Sequence, residues 1–112
     1  MTEISWQDFQ KIDLRAGTIL QARTFPEARK PAYILTIDFG EEIGIRKSSA
    51  QITDLYSPEE LVGKQIIGVV NFSRKQIGPF MSECLVTGLV QGDGRVILAV
   101  PDKFAENGSP LG

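Results

Sequence analysis

The sequence predicts an all-β domain in which five strands form a Greek-key barrel, with a short N-terminal helix and a short helix between strands 3 and 4. Three observations favour this fold class: apolar segments with a two-residue period, turn residues between them, and few helix-start signals in 112 residues. Residues 1–112 are predicted to form one domain, with a helical arm at 1–12, the barrel at 13–101 and a C-terminal tail at 102–112.

The N-terminal helix is predicted from its capping residues. Ser5 can cap the first turn, and Asp8, three residues later, can return the hydrogen bond. Trp6, Phe9 and Ile12 would then share roughly one face of the helix. That apolar face either covers its own barrel or seeks a partner surface, because a small barrel cannot easily bury it.

The first three strands follow the helix directly. Strand 1 is predicted over residues 14–24, and Gly17 marks a bulge or bend inside it. The alternation of apolar and polar residues from Tyr33 to Phe39 predicts strand 2. Residues 40–42 are predicted to form a turn, and strand 3 then runs from Ile43 to Ser49.

A short helix and further strands complete the barrel. A serine cap, a proline at the first helical position and a glutamate at the third predict a helix at residues 57–61. Apolar strands are predicted over 64–72 and 83–90, and a last strand over 96–100. This element order is that of the OB-fold, a five-stranded barrel that binds ligands across strands 2 and 3, between the loops joining strands 1–2 and 4–5.

Positive charge is concentrated locally in a chain that is acidic overall. There are 12 Lys and Arg residues against 14 Asp and Glu residues, which argues against a generic nucleic-acid coat. Half of these cations form three pairs, Arg29-Lys30, Arg46-Lys47 and Arg74-Lys75. They map to the loop after strand 1, the end of strand 3 and the loop between strands 4 and 5. We predict that the three pairs form a cationic rim; the alternative is that Lys and Arg simply favour loops.

The residue types present favour binding over chemistry. There is no histidine, and the single Cys84 excludes an internal disulfide or a multi-cysteine metal site, so we predict no catalytic residue, metal or cofactor. Lys47 next to Ser48 could suggest a Ser-Lys nucleophile, but neighbours on a strand point to opposite faces. No signal-peptide pattern or membrane-spanning apolar run is visible, so a cytoplasmic protein without membrane insertion is expected.

Aromatic and polar side chains near the rim extend the predicted site. Tyr33 and Phe80 flank the loops on the basic side, and they are the aromatics we expect to be exposed, either to stack bases or to form pockets. Ser48, Ser49 and Gln51 could offer hydrogen bonds to a bound chain, or could simply close strand 3.

Several motifs resemble those of a known family, from about residue 10 to residue 101. Three segments are similar to the opening of the tRNA-binding OB domains, which occur in some methionyl- and phenylalanyl-tRNA synthetases and in free-standing proteins. These are Asp13-Leu-Arg-Ala-Gly17, Ala28-Arg-Lys-Pro-Ala-Tyr33 and Leu35-Thr-Ile-Asp-Phe-Gly40. Two others resemble the bacterial CsaA branch: Lys47-Ser-Ser-Ala-Gln-Ile-Thr53, and Val69-Val-Asn-Phe72 with Arg74, Ile77, Phe80 and Ser82-Glu83. Pro79 departs from that pattern.

The resemblance implies a function as well as a fold. It implies a non-catalytic homodimer, a secretion-related chaperone that binds unfolded or precursor polypeptides, with the secretion machinery as a further partner. The alternative is a protein that binds tRNA or structured RNA through the same face. Trp6, Phe9 and Ile12 are the predicted dimer contacts. The predicted ligand-binding residues are Arg29, Lys30, Tyr33, Arg46, Lys47, Ser48, Ser49, Gln51, Asn71, Phe72, Arg74, Lys75, Phe80, Ser82 and Glu83.

Overall fold

The computed structural model describes residues 1–112 and contains nine strands and three short helices. No helix of this fold has the length and apolar character that crossing a bilayer requires. In chain order the elements are α1 (Trp6–Gln10), β1 (Leu14–Thr24), β2 (Tyr33–Asp38), α2 (Gly40–Ile43), β3 (Ile45–Ala50), α3 (Pro58–Leu61), β4 (Gln65–Val69), β5 (Lys75–Ile77), β6 (Phe80–Ser82), β7 (Leu85–Val86), β8 (Gly88–Val90) and β9 (Val96–Leu98).

Five antiparallel strands form a nearly closed barrel in the order β3-β2-β1-β4-β7. The two ends of this sheet meet where β3 faces the segment before β7. There the Glu83 N–H donates to the Lys47 carbonyl at 2.8 Å, and the Ser48 hydroxyl donates to the Cys84 carbonyl at 2.9 Å. The predicted all-β OB-fold is therefore confirmed.

The strand β1 has the predicted bounds, but its bulge lies elsewhere than predicted. The register with β2 shifts between Ile19 and Gln21, three residues beyond Gly17. Gly17 is instead required by packing, because a Cβ there would lie 2.7 Å from Ile37 Cγ2 and 2.7 Å from Phe39 Cδ1. The bulge lets β1 serve two partners, β4 along its first half and β2 along its second.

Two apolar clusters hold the fold together. The larger one fills the barrel, and Ile19, Leu35, Ile37, Phe39 and Ile66 are fully buried in it. Each such side chain contributes about 1.5–3 kcal/mol of burial free energy. The smaller one lies outside the barrel; we name it the loop cluster, and it consists of Phe25, Ala32, Ile34 and Phe80. It fixes the loop after β1 against the β5–β6 hairpin.

Residues 40–42 do not form the simple turn predicted from the sequence. They belong to α2, a single helical turn, because Gly40 adopts a φ of 86° and its N–H donates to the Asp38 carboxylate at 2.8 Å. The Gly44 N–H then closes the turn on the Gly40 carbonyl at 2.7 Å.

The predicted strands of the second half are shorter than expected. The strand predicted over 64–72 ends at Val69, and the predicted loop after it contains the β5–β6 hairpin. The segment 83–90 divides into β7, which pairs with β4, and β8, which pairs with β9. Because the chain changes its pairing partner at Thr87, the single strand predicted here is two strands in the structure.

The C-terminal segment 102–112, predicted as a tail, lies along β1. The Gly108 N–H donates to the Ala16 carbonyl at 2.8 Å, and the Leu111 N–H donates to the Leu14 carbonyl at 2.9 Å. Since β2 pairs only with the second half of β1, the first half would otherwise expose one edge. The segment supplies the missing neighbour.

The helix α1 has the predicted caps and lies on the surface. The Asp8 N–H donates to Ser5 Oγ at 3.1 Å, and the Ser5 N–H donates to the Asp8 carboxylate at 3.3 Å. A hydrogen bond from Lys11, together with those from Ser5, lowers the pKa of Asp8. No residue of the helix is buried, and the Trp6 and Phe9 rings lie 5.5 Å apart.

Candidate ligand-binding site

An open groove of about 760 Å³ lies beside the barrel, between the β5–β6 hairpin and β8. The end of β3 and the segment through β7 form its floor. Sixteen residues line the groove, nine of them are hydrophobic, and Lys75 is the one charged residue among them. An apolar concave surface with few charges is typical of sites that bind ligands by burial of nonpolar surface.

One third of the predicted ligand-binding residues line this groove. Phe72 is the largest of them, and 57% of it is exposed. Lys75 begins β5 on the same side, and Ser49 and Ser82 are joined by a hydrogen bond of 3.3 Å from the Ser49 N–H. The predicted residues in the groove are Ser49, Gln51, Phe72, Lys75 and Ser82.

The elements that carry the cationic rim are neighbours in the fold. Glu83 Oε1 accepts the Lys47 N–H at 3.0 Å, while Glu83 Oε2 lies 3.6 Å from Arg74 Nη2. The exposed Arg29-Lys30 pair belongs to the loop that the loop cluster attaches to the β5–β6 hairpin. Glu83 and the loop cluster thus connect the three segments that carry the basic pairs of the cationic rim.

Arg46 faces inwards and does not extend the exposed surface of the rim. It is half-buried, and its Nη1 donates to the Val70 carbonyl at 3.1 Å and to the Glu83 carbonyl at 3.4 Å. Arg46 therefore links β3 to the segments after β4 and before β7, whereas its neighbour Lys47 is exposed on the other face of β3.

The exposure predicted for Tyr33 and Phe80 is wrong. Tyr33 is 8% exposed, and its hydroxyl donates to the Tyr56 carbonyl at 2.7 Å. Its position on β2 points into the barrel, since it alternates with the outward-facing Ile34. Phe80 is 9% exposed, and its ring lies 5.4 Å from that of Phe25 in the loop cluster.

The side chains of two predicted ligand-binding residues, Ser48 and Asn71, form hydrogen bonds with other parts of the chain. Ser48 is 1% exposed, because β3 turns this position towards the barrel interior. The Asn71 amide donates to the Lys11 carbonyl at 2.7 Å and accepts the Asp13 N–H at 2.9 Å. Asn71 thereby fastens the segment after α1 to the end of β4. These contacts give both side chains structural roles; Ser48 is closed off from a ligand by burial, whereas Asn71 is exposed and its ligand contact stays a prediction.

Sequence reasoning missed the groove wall formed by β7 and β8. Leu85 and Val90 line the groove from this wall and are 47% and 75% exposed. The sequence predicts a single apolar strand over 83–90 and gives its residues after Glu83 no part in the site. Its two successive apolar residues at 89–90, separated by Gln91 and Gly92 from the turn at Asp93-Gly94, could have indicated an exposed hairpin.

The potential nucleophiles of the site are not arranged for bond-making chemistry. Desolvation raises the pKa of the Cys84 thiol to about 11, outweighing the opposite effects of Ser48 and Arg46. The buried Ser48 hydroxyl already donates to a carbonyl group. No three His, Cys, Asp or Glu side chains come together as a metal-binding group. The arrangement can hold a ligand by apolar contact and hydrogen bonds.

Comparison with known proteins identifies the family. Residues 14–110 match the family model described as a putative tRNA binding domain. The methionine–tRNA ligase of Flavobacterium johnsoniae is 32% identical over 108 residues, which are 96% of this chain and 15% of the ligase. That of Pyrococcus horikoshii is 34% identical over 111 residues, 99% of this chain and again 15% of the ligase. The chain thus spans about 15% of the length of these relatives.

Solved structures of similar proteins cover the whole chain. The chaperone CsaA from Bacillus anthracis is 47% identical with a TM-score of 0.93, over 99% of this chain and 100% of CsaA. The CsaA chaperone protein from Picrophilus torridus is 51% identical with a TM-score of 0.92, over 98% of this chain and 100% of that protein. These matches confirm the resemblance drawn from the sequence motifs. The chain therefore belongs to the putative tRNA-binding domain family, as a CsaA-like member.

Proposed function

We propose that this protein is a chaperone that holds extended segments of unfolded or precursor polypeptides in the groove. The observation that carries the proposal is the composition of the groove, in which nine of 16 lining residues are hydrophobic and one is charged. Unfolded chains expose apolar side chains and unpaired backbone groups, and both find complements in such a surface. The similarity to proteins described as CsaA chaperones supports this interpretation.

The test is a pair of titrations at two salt concentrations. A labelled unfolded precursor peptide and a labelled tRNA are each titrated with the protein at about 50 mM and about 200 mM salt. Peptide affinity is expected to change by less than about threefold, because apolar burial releases few counterions. A peptide that does not bind at either concentration would remove the proposal.

A second candidate function is the binding of tRNA or another structured RNA. The exposed cations of the rim and the description of the family support it. Five exposed cations contacting phosphates would make RNA affinity fall by more than roughly 100-fold over the same salt range. Tight, strongly salt-dependent tRNA binding together with absent peptide binding would favour this candidate over the chaperone function.

The homodimer is part of the same proposal. Trp6 is 61% exposed and Ile12 is 46% exposed, so the face of α1 offers an apolar surface to a partner. Substitution of Trp6 by alanine is expected to weaken dimers about 10- to 100-fold, from the loss of roughly 1.5–3 kcal/mol of burial. Sedimentation equilibrium measures this change. Phe104→Ala, which removes another exposed aromatic, is the matched control, and a monomeric parent protein would refute the claim.

The cellular context is also proposed. A single unpaired cysteine is compatible with the reducing cytoplasm. We place the protein there, acting on secretion precursors before they reach the export machinery. Fractionation of cells producing the tagged full chain would test the location.

A further inference from the structure

One edge of β8 is unpaired, and the strand itself lines the groove. The strand pairs only with β9, in a separate two-stranded sheet. The Gln91 N–H donates to the Arg95 carbonyl at 2.8 Å, and the Ala99 N–H donates to the Thr87 carbonyl at 3.2 Å. In an antiparallel pair, every second residue bonds across the ladder. The backbone N–H and C=O groups of successive residues along β8 therefore point alternately towards β9 and away from it.

Gly88 and Val90 direct their backbone groups away from β9. They occupy the positions that the alternation leaves without cross-strand bonds. The register agrees, because Leu98, the partner of Gly88, donates its N–H to the Tyr56 hydroxyl at 3.0 Å instead of to β8. Gly88 and Val90 line the groove together with Val96, the partner of Val90 on β9, so one face of this hairpin forms a wall of the groove. The N–H and C=O groups of Gly88 and Val90, which point away from β9, form a short free edge that borders this wall.

This edge lacks the features that normally prevent strand pairing. Natural edge strands carry charged residues, proline or a bulge that discourage the addition of another strand. The segment 87–91 contains no charged residue and no proline, and β8 and β9 pair without a register shift. A strand added to it would lie about 4.8 Å away, on the side of β8 opposite to β9.

The opposite wall and the mouth of the groove limit what can occupy this edge. Ile77 and Phe72 offer apolar surface, and Lys75 is the one charge in the lining. A complementary ligand has apolar side chains at alternate positions and a carboxylate within reach of Lys75. RNA does not fit this edge, since its backbone has no alternating amide donors and carbonyl acceptors.

We infer that the groove captures extended polypeptides by strand addition to β8, with the Gly88 and Val90 backbone groups as donors and acceptors. The inference rests on the proposed chaperone function and assigns it a mode of recognition. Backbone pairing is independent of side-chain identity, so it would allow many precursor sequences to bind. The apolar walls and Lys75 would add a preference for alternating apolar residues ending in an acidic group.

The first test uses synthetic peptides that differ only in backbone methylation. The parent peptide has valine at alternate positions, serine and threonine between them, and a C-terminal aspartate. One isomer is N-methylated at two valine amides and the other at two of the intervening amides. Because alternate amides point to opposite sides of a strand, one isomer is expected to bind at least about tenfold more weakly and the other within about twofold of the parent.

The second test follows individual amides of the full chain by hydrogen exchange. The amides of Gly88 and Val90 are expected to exchange rapidly in the free protein and to slow at least about tenfold on binding the parent peptide. The Leu89 amide, which bonds to β9, is the internal control and stays protected throughout. Protection of Gly88 and Val90 before any peptide is added would show that a second copy occupies the edge, and would overturn the inference.

The third test changes the edge itself. Val90→Pro removes one outward N–H without removing a bond to β9, and Val90→Ala shortens the same side chain while keeping that N–H. Peptide binding by the proline variant is expected to be about tenfold weaker than by the alanine variant. If the proline variant does not fold, the difference in affinity between the two methylated peptides tests strand addition without it.

The outcomes separate the inference from the function on which it rests. Failure of the parent peptide to bind rejects the chaperone function and the inference together. Binding that responds equally to both patterns of methylation, or to neither, leaves the function intact and overturns strand addition alone.

Discussion

The groove and the exposed part of the cationic rim lie next to each other but offer ligands opposite kinds of surface. The groove has one charged residue in its lining, whereas Arg29, Lys30, Lys47 and Arg74 stand exposed outside it. Lys75 belongs to both regions. Ser82 lies in the groove, and the next residue, Glu83, belongs to the rim side. The Glu83 carboxylate accepts a hydrogen bond from the Lys47 backbone N–H and lies near the Arg74 guanidinium. The protein therefore presents an apolar groove and exposed cations on neighbouring segments.

Because the groove is apolar and the neighbouring surface is cationic, the two candidate ligands need not contact the same atoms. A polypeptide gains from leaving water for apolar walls, and this gain depends little on salt. An RNA gains from counterion release at cations, and this gain falls steeply with salt. A mutation confined to one region should thus change the binding of one ligand class and leave the binding of the other unchanged.

The largest expected effect is on RNA binding when the rim is reversed in charge. Arg29→Glu with Lys30→Glu replaces two attractive contacts with two repulsive ones, so tRNA affinity should fall about 10- to 100-fold at low salt. Peptide affinity should stay within about twofold, since neither residue lines the groove. Filter binding at matched salt measures both affinities.

The control for this variant is Arg95→Glu with Lys103→Glu. It changes the net charge by the same amount at exposed positions outside the rim. A comparable loss of tRNA affinity in the control would indicate that overall charge governs binding. Loss of peptide affinity in the rim variant would show that the two regions act as one site.

The next effect concerns the groove floor, where Cys84 reports on solvation. Its pKa is raised from 9.0 to about 11 by burial, so the native thiol should react with iodoacetamide at pH 8 about tenfold more slowly than the unfolded one, even allowing for the greater nucleophilicity of a more basic thiolate. A native rate equal to the unfolded rate would mean that the floor is open to water and is not the apolar surface described.

The same thiol predicts a pH dependence of stability. Because the folded state holds the proton more tightly, the unfolded chain ionises first as pH rises above 9.0, and the free energy of unfolding decreases until the folded thiol also ionises near 11. Urea titrations of the parent and of Cys84→Ala isolate this contribution. Their difference should be constant below about pH 8 and should change most steeply between these two pKa values.

A smaller effect is expected from truncating the exposed aromatic of the groove. Phe72→Ala should weaken peptide binding about fivefold, because part of one ring leaves the apolar contact surface. Phe104→Ala, at an exposed aromatic outside the groove, should leave it unchanged. Isothermal titration gives both values. A loss of tRNA affinity in Phe72→Ala would instead indicate base stacking in the groove.

Local patterns predicted the barrel well and the site less well. The alternation in β2, the cap at Ser5 and the bounds of β1 depend on neighbours in sequence, and the structure confirms them. The inward position of Arg46 and the clip formed by Asn71 depend on segments brought together by folding. The groove wall at β8 depends on a change of pairing partner, which no local period reveals.

Substitution of Tyr33 should have the smallest effect on binding. It also tests whether this residue belongs to the barrel core or to the ligand-binding site. Its ring fills the barrel and its hydroxyl donates to the Tyr56 carbonyl, so Tyr33→Phe should lower the free energy of unfolding by about 1 kcal/mol. Urea denaturation measures this loss, while the affinities for peptide and for tRNA should both stay within the error of the titrations. A selective loss of either affinity would mean that Tyr33 reaches a ligand, as the sequence had suggested, and that the barrel opens at β2 during binding.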